Sequence, residues 1–367
     1  MSSEHMSGEP GGPAGGLARA GEIVAAAVRA GGVPGAVAAV GRGPVTLSTW
    51  VTGRADTTQA TSRPMTAGTL FDLASLTKVV TTTTVLALAG GGRLGLDDPA
   101  ARYLPGFTAL RDGPVTIRHL LTHTSGLPDT RKFYQWCASR QEMLRDLFAT
   151  PLQAPPGTQV TYSDLGFLAL GEIVAAITGE PLDAVVRDLV TAPLGMTSTG
   201  YFPLADADRA VAPDKFAATE RRADGTPWNG VVHDENARLM GGVAGHAGLF
   251  SVAADLATFC AWWVGDSDVP VPARLRREAE SPQTAGLGGS RGLGWVRGGD
   301  RFDILGGSWP ASAVSHTGFT GTSLALDSPS GTWAVLLTNS VHFGRDATAV
   351  KALRREFHAA VATALFQ

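Results

Sequence analysis

Strand-like sequence in this chain is confined to its two ends, and that distribution most limits the folds open to it. Near the start, GAVAAVGRG and VTLSTWVTGRAD are β-rich runs split by Gly-Arg-Gly-Pro, which predicts an antiparallel hairpin. β character returns only from residue 291 on, in RGLGWVRG, RFDIL, SAVSHTG, GTSLALDS and TWAVLLTNSV. Between them the apolar spacing is that of helices, in segments such as RQEMLRDLFA, DLGFLALGEIVAAITG and AADLATFCAWWV. Helices are also expected from Leu17 to about Ala30, before Gly31-Gly32, and from about Asp346 to Leu365. The expected class is therefore α/β (α+β): an antiparallel sheet built from both chain ends, flanked by helices, with a mainly helical insertion. The expected boundaries are a disordered tail over 1–16, a sheet domain over 17–92 and 282–367, and the insertion over 93–281.

Composition excludes several roles. The net charge is −3 and no basic run is interleaved with aromatics, so nucleic acid and anionic membrane surfaces are poor partners. No segment has the roughly 18 consecutive apolar residues of a membrane span. MSSEHMSGEPGGPAGG lacks the apolar region of a signal peptide, so a cytoplasmic location is expected. Cys137 and Cys260 fit no metal-ligand spacing and read as two reduced thiols. Heavy use of Ala, Gly and Arg beside only four lysines points to a GC-rich genome of the actinomycete kind.

One of those lysines follows a serine by three residues, in FDLASLTKVV. At that spacing on a helix, Ser75 and Lys78 share a face and can touch. A hydroxyl becomes a nucleophile when a neighbour takes its proton, and a desolvated lysine with a lowered pKa can do so. A helix start adds free N–H groups that favour anionic oxygen. Alone the motif is weak. Two later stretches strengthen it: Tyr162-Ser163-Asp164 before a helix, and His316-Thr317-Gly318 in a strand.

SLTK, YSD and HTG, in that order, resemble the S-x-x-K, Y-x-N and K-T-G motifs of the serine β-lactamase and penicillin-binding-protein superfamily. RHLLTHTSGLPD, LGLDDPAARYLP and GHAGLFSVAADLATF resemble its class C β-lactamase-like branch, which includes D-Ala-D-Ala carboxypeptidases, esterases and acyltransferases. The likeness spans roughly residues 20 to 365. It implies an active site between the sheet and the insertion, with Ser75 as nucleophile and Lys78 and Tyr162 sharing the proton work. It places the oxyanion hole at the backbone N–H groups of Ser75 and Phe319. Substrate-binding positions are then Asp164, His316, Thr317 and Gly318, with His246 and Trp309 as further candidates for the cleft wall; no metal or other cofactor is required.

Two departures narrow the chemistry. Asp164 stands where the pattern has asparagine, and a carboxylate accepts hydrogen bonds but cannot donate one to a substrate carbonyl. His316 replaces the lysine usual in β-lactamases and is mostly neutral at pH 7, which suits a substrate without a carboxylate. Gly318 is expected to let the strand approach the acyl group. The expected partners are a small-molecule acyl donor and acceptor, with an esterase or transacylase, of the kind that also tailors natural products, ranked above a β-lactamase or a carboxypeptidase. A binding-only sensor that acylates once is the reading from another class. The sequence leaves the oligomeric state open.

Other candidates carry less. His119 and His123 lie four apart, as on a metal-binding helix face, but lack the glutamate of H-E-x-x-H. Ser125 lacks a G-x-S-x-G elbow and reads as a turn residue. Trp228 either walls a pocket or packs.

Overall fold

The computed structural model describes residues 13–113, 115–202 and 212–367. Residues 1–12 of the expected tail lie outside the described residues. The chain is already helical at Pro13, earlier than expected, because proline suits the first helical position and Gly16 lets two helices meet closely. A Cβ on Gly16 would lie 2.6 Å from that of Ala364.

The strands are β1 (Gly35–Arg42), β2 (Val45–Asp56), β3 (Arg63–Pro64), β4 (Phe71–Asp72), β5 (Gly200–Tyr201), β6 (Leu249–Ser251), β7 (Val296–Arg297), β8 (Val314–Thr317), β9 (Ser323–Asp327) and β10 (Thr332–Thr338). The α-helices are α1 (Pro13–Arg29), α2 (Thr77–Gly90), α3 (Thr108–Asp112), α4 (Ile117–Leu121), α5 (Arg140–Phe148), α6 (Asp164–Thr178), α7 (Leu182–Val186), α8 (Glu235–Leu239), α9 (Ala253–Trp263), α10 (Ala273–Glu280) and α11 (Thr348–Phe366). Seven strands form one antiparallel sheet in the order β3-β2-β1-β10-β9-β8-β7. The two chain ends meet at its centre, where β1 pairs with β10 from Ala36 opposite Thr338 to Arg42 opposite Thr332.

The central strands are buried on both faces, which explains their nearly unbroken apolar sequence. Alternation sends Val37, Ala39, Trp333, Val335 and Leu337 into one core and Ala36, Ala38, Val40, Ala334 and Leu336 into another. The second core is closed by α1 and α11 through Leu17, Val24, Phe357 and Val361. The first continues without a break into the helical region through Val79, Leu170 and Phe259.

The region between the chain ends is not purely helical. It supplies β5 and β6, which pair with β4 in a small three-stranded sheet, Phe71 opposite Ser251 and Asp72 opposite Phe250. RFDIL, expected as a strand, is a run of turns. Its carboxylates hold the turns by accepting backbone N–H bonds, Phe302 to Asp300 at 2.9 Å and Leu305 to Asp303 at 2.8 Å.

Candidate active site

Directly after β4 the chain turns sharply, with Ala74 at φ 45°, a conformation costly for a residue with a Cβ. The turn is held by buried Asp72, whose carboxylate accepts the N–H of Ala74 at 2.8 Å and that of His233 at 2.6 Å. Ser75 follows in a single 3₁₀ turn, Ala74–Leu76, that runs into α2. Lys78 lies one turn on, fully buried, and its Nζ donates to Ser75 Oγ at 3.0 Å and to the His246 carbonyl at 3.2 Å. The sequence spacing thus does bring the pair into contact.

Asp164 opens α6, but Ser163 caps that helix by accepting the Gly166 N–H. This leaves the Asp164 carboxylate for Lys78, 2.8 Å from Nζ. Burial works to lower the Lys78 pKa, but the Asp164 carboxylate and then Tyr162 more than offset this and hold it above the ordinary lysine value. The sequence argument expected a lysine with a lowered pKa. The correction follows from the carboxylate that replaces asparagine at 164. At rest Lys78 is an ammonium, 4.9 Å from the Tyr162 ring centre.

Tyr162 sits in a shell that the sequence motifs do not reveal. His123 lies 4.5 Å from its ring, Phe302 5.0 Å and His316 6.2 Å, all between ring centres. His123 adopts φ 61° just beyond the end of α4, so it turns off that helix, and the face it was expected to share with His119 does not exist. His119 instead completes a capping box with Thr116 at the start of α4. The His123 Nδ1 accepts the Ser163 N–H at 2.9 Å, which assigns the proton of the neutral ring to Nε2. Burial, then the Arg291 and Lys78 cations, keep that ring neutral.

His316 is buried as well. Burial, then Lys78 and Arg291, push its pKa down to about 3, so it is neutral over the working pH range. Its Nδ1 lies 3.0 Å from the Thr317 carbonyl and its ring faces Tyr162 without lining the cavity beside Ser75. Contact between the His316 side chain and substrate is therefore corrected to contact with Tyr162.

The turn after β8 is fastened to the Ser75 segment. Thr320 Oγ1 donates to the Asp72 carbonyl at 2.6 Å and Thr322 Oγ1 to the Leu73 carbonyl at 3.1 Å. Gly318 lies inside this junction: a Cβ there would sit 2.2 Å from Thr322 Oγ1 and 2.3 Å from the Leu73 oxygen. The close approach Gly318 permits is thus to the Ser75 segment. Thr317, at the end of β8, is half-buried. A cavity next to this junction is lined by Ser75, Lys132, Tyr162, Asp164, Asp234 and Phe319. Among the described residues, the backbone N–H groups of Ser75 and Phe319 meet no protein acceptor.

His246 reaches the site through its backbone carbonyl; its buried ring pairs with Asp234, Nε2 to Oδ1 at 2.9 Å. Trp309 is not part of the site. It packs in the core under α1 and α11, with Nε1 donating to the His358 carbonyl at 2.9 Å. Trp309→Ala is expected to cost about 3–5 kcal/mol in a denaturant melt and to leave KM unchanged in steady-state assays. Trp228 lies between Arg222 and Arg238, 3.8 and 4.7 Å from its ring centre. Ser125 is a turn residue, accepting the Leu127 N–H at 3.3 Å.

The sheet, the helical region and the Ser-Lys-Tyr cluster define a class, the serine hydrolases with a β-lactamase or transpeptidase fold. Residues 21–359 match the family model described as Beta-lactamase, and the chain belongs to that family of serine hydrolases. A protein of Escherichia coli K12, provisionally named a D-alanyl-D-alanine carboxypeptidase, is 33% identical over 309 residues, 76% of this chain and 70% of its own. Among solved structures, "EstCE1, a hydrolase with promiscuous acyltransferase activity" is 24% identical, with a TM-score of 0.73 over 93% of this chain and 99% of its own. The LovD6 mutant of simvastatin synthase from Aspergillus terreus is 22% identical, with a TM-score of 0.74 over 98% of this chain and 99% of its own.

Proposed function

We propose that this protein takes an acyl group from a small-molecule ester or activated amide onto Ser75 and passes it to water, an amine or an alcohol. The observation that carries the reading is the position of the Lys78 ammonium, in contact at once with Ser75 Oγ at 3.0 Å and the Asp164 carboxylate at 2.8 Å and 4.9 Å from the centre of the Tyr162 ring. An ammonium has no lone pair. The proton of Ser75 therefore passes to the Lys78–Tyr162 pair only after the pair has lost one, and the two groups act as a single base. The Ser75 Oγ–acyl bond forms as the bond to the leaving group breaks, and the pair returns the proton to that group. The acceptor repeats the sequence in reverse. The free N–H groups of Ser75 and Phe319 suit the carbonyl oxygen that becomes negative in between.

The Asp164 carboxylate at the cavity favours an uncharged ester over an anionic β-lactam, and the acyltransferase activity ascribed to EstCE1 agrees in kind. Incubation with p-nitrophenyl acetate tests this: steady release of nitrophenolate is expected, with nitrocefin opened more slowly. One stoichiometric burst would instead mark a sensor. Amines added to the assay should yield amide by mass spectrometry if acyl transfer competes with hydrolysis. Gly318→Ala is expected to cost about 1–3 kcal/mol of stability and to lower kcat, because the displaced turn carries the Phe319 amide.

A second reading, a D-alanyl-D-alanine carboxypeptidase, is favoured by the name of the Escherichia coli relative and by the exposed Lys132 at the cavity, where a terminal carboxylate would meet a cation. Release of D-alanine from a peptide ending in D-Ala-D-Ala faster than nitrophenolate from the ester would establish it.

A further inference from the structure

Behind Tyr162, on the side away from the cavity, lies a buried ion pair that no sequence motif marks. The Arg291 side chain is 2% exposed and that of Asp300 1%. They meet in a two-pronged contact, Nε to Oδ2 at 3.0 Å and Nη2 to Oδ1 at 2.9 Å. The Asp300 carboxylate also accepts the N–H groups of Ser290 at 3.0 Å and Phe302 at 2.9 Å, so it is fixed to its own turn. The guanidinium carbon then lies 5.4 Å from the centre of the Tyr162 ring and 5.2 Å from that of Phe302. Arg291 does not line the cavity and cannot touch a substrate there.

A buried ion pair is seldom a net source of stability, because the desolvation of both ions offsets their attraction. This one presents its positive end to a tyrosine and its negative end to backbone donors. We propose that Arg291, held by Asp300, is a positioning residue for Tyr162: its guanidinium fixes the ring and favours the state in which the Lys78–Tyr162 pair has released a proton and can take that of Ser75. The inference rests on the function proposed above. The other groups facing the ring do not favour that state. Lys78 is itself half of the titrating pair, the Asp164 carboxylate beside it opposes loss of its proton, and His123 and His316 are neutral. Arg301 acts on Arg291 and His123, and its guanidinium lies over the ring of Phe302, 4.7 Å from its centre.

The test is the rate at which a fluorophosphonate labels Ser75, followed by peptide mass spectrometry from pH 5 to pH 10. It needs no knowledge of the natural substrate. A cation near the pair favours loss of its proton and so sets the rising limb of the rate at lower pH. The double variant Arg291→Gln/Asp300→Asn leaves no unpaired buried ion, and its limb is expected about 0.5–1 pH unit higher than in the wild type. Asp300→Asn alone unmasks the cation and should shift the limb lower. Arg291→Lys, which keeps the charge, should return the limb toward its wild-type position. A merely structural role would change melting temperature and rate without these opposed shifts. A limb unmoved in the double variant, or moved the same way in both variants, overturns the inference. Should the double variant not fold, the sign of the Asp300→Asn shift decides, and only a downward shift supports the inference. Wild-type protein that is not labelled at Ser75 overturns the proposed function and this inference together; normal labelling with an unmoved limb overturns this inference alone.

Discussion

Ser75→Ala is expected to lower steady turnover of p-nitrophenyl acetate by at least about 10³-fold, with thermal stability nearly unchanged. The loss is large because, among the described residues, no other serine or threonine hydroxyl is hydrogen-bonded to Lys78 Nζ and able to stand in for it. The stability change is small because Ser75 lies half-buried at the cavity wall and its Oγ makes one hydrogen bond there, worth about 1 kcal/mol. Lys78 keeps Asp164 as its counter-ion, so no buried charge is stranded. Turnover surviving in this variant would remove Ser75 from the chemistry.

Asp164→Asn carries the second large effect, and here stability and pH move together. The substitution restores the residue type usual in Y-x-N but takes the counter-ion from a lysine with no exposed surface. Breaking such a pair costs about 3 kcal/mol or more, toward the lower end here because the Asp164 side chain is 23% exposed. In the wild type the folded-state pKa of Lys78 lies above that of the unfolded chain. Its contribution to stability is therefore fully present at neutral pH and is lost only as pH rises through the raised value. In the variant, burial is opposed by Tyr162 without the carboxylate, and the folded pKa is expected to fall below the unfolded one. The unfolded chain then binds more protons, and the stability of the variant rises with pH. Urea melts from pH 6 to pH 10 should show a deficit in Asp164→Asn that shrinks toward alkaline pH. A deficit independent of pH would mean that Asp164 does not govern Lys78.

What the sequence disclosed was whatever depends on neighbours along the chain. Ser75 and Lys78 meet because three residues on a helical turn bring them together, and the β-rich runs at the two chain ends join in one sheet. The fit to family motifs added Tyr162 and the HTG turn. Hidden features depend on contacts across the chain or on a single dihedral. His123 carries no signal of its own; it reaches Tyr162 only because φ turns positive past the end of α4. Arg291 and Asp300 belong to no motif, and only the fold brings them together as a buried pair. RFDIL itself alternates like a strand, but the side-chain bonds of Asp300 and Asp303 to following N–H groups favour turns. Trp309, chosen for the cleft by residue type, lies in the core under α1 and α11, because its side of the sheet was not readable from one isolated residue. The Lys78 pKa was read in the wrong direction because Asp164 and Tyr162 together outweigh burial.

The central claim, that Ser75 carries the acyl group, is tested most directly by quenching the protein in acid during turnover of p-nitrophenyl acetate and mapping the acetyl group by peptide mass spectrometry. The account predicts acetyl on the Ser75 peptide, formed and lost at rates that match turnover and absent from Ser75→Ala. Turnover with no acetyl on Ser75 at any quench time, or with acetyl on another residue that forms and decays at the turnover rate, would contradict it.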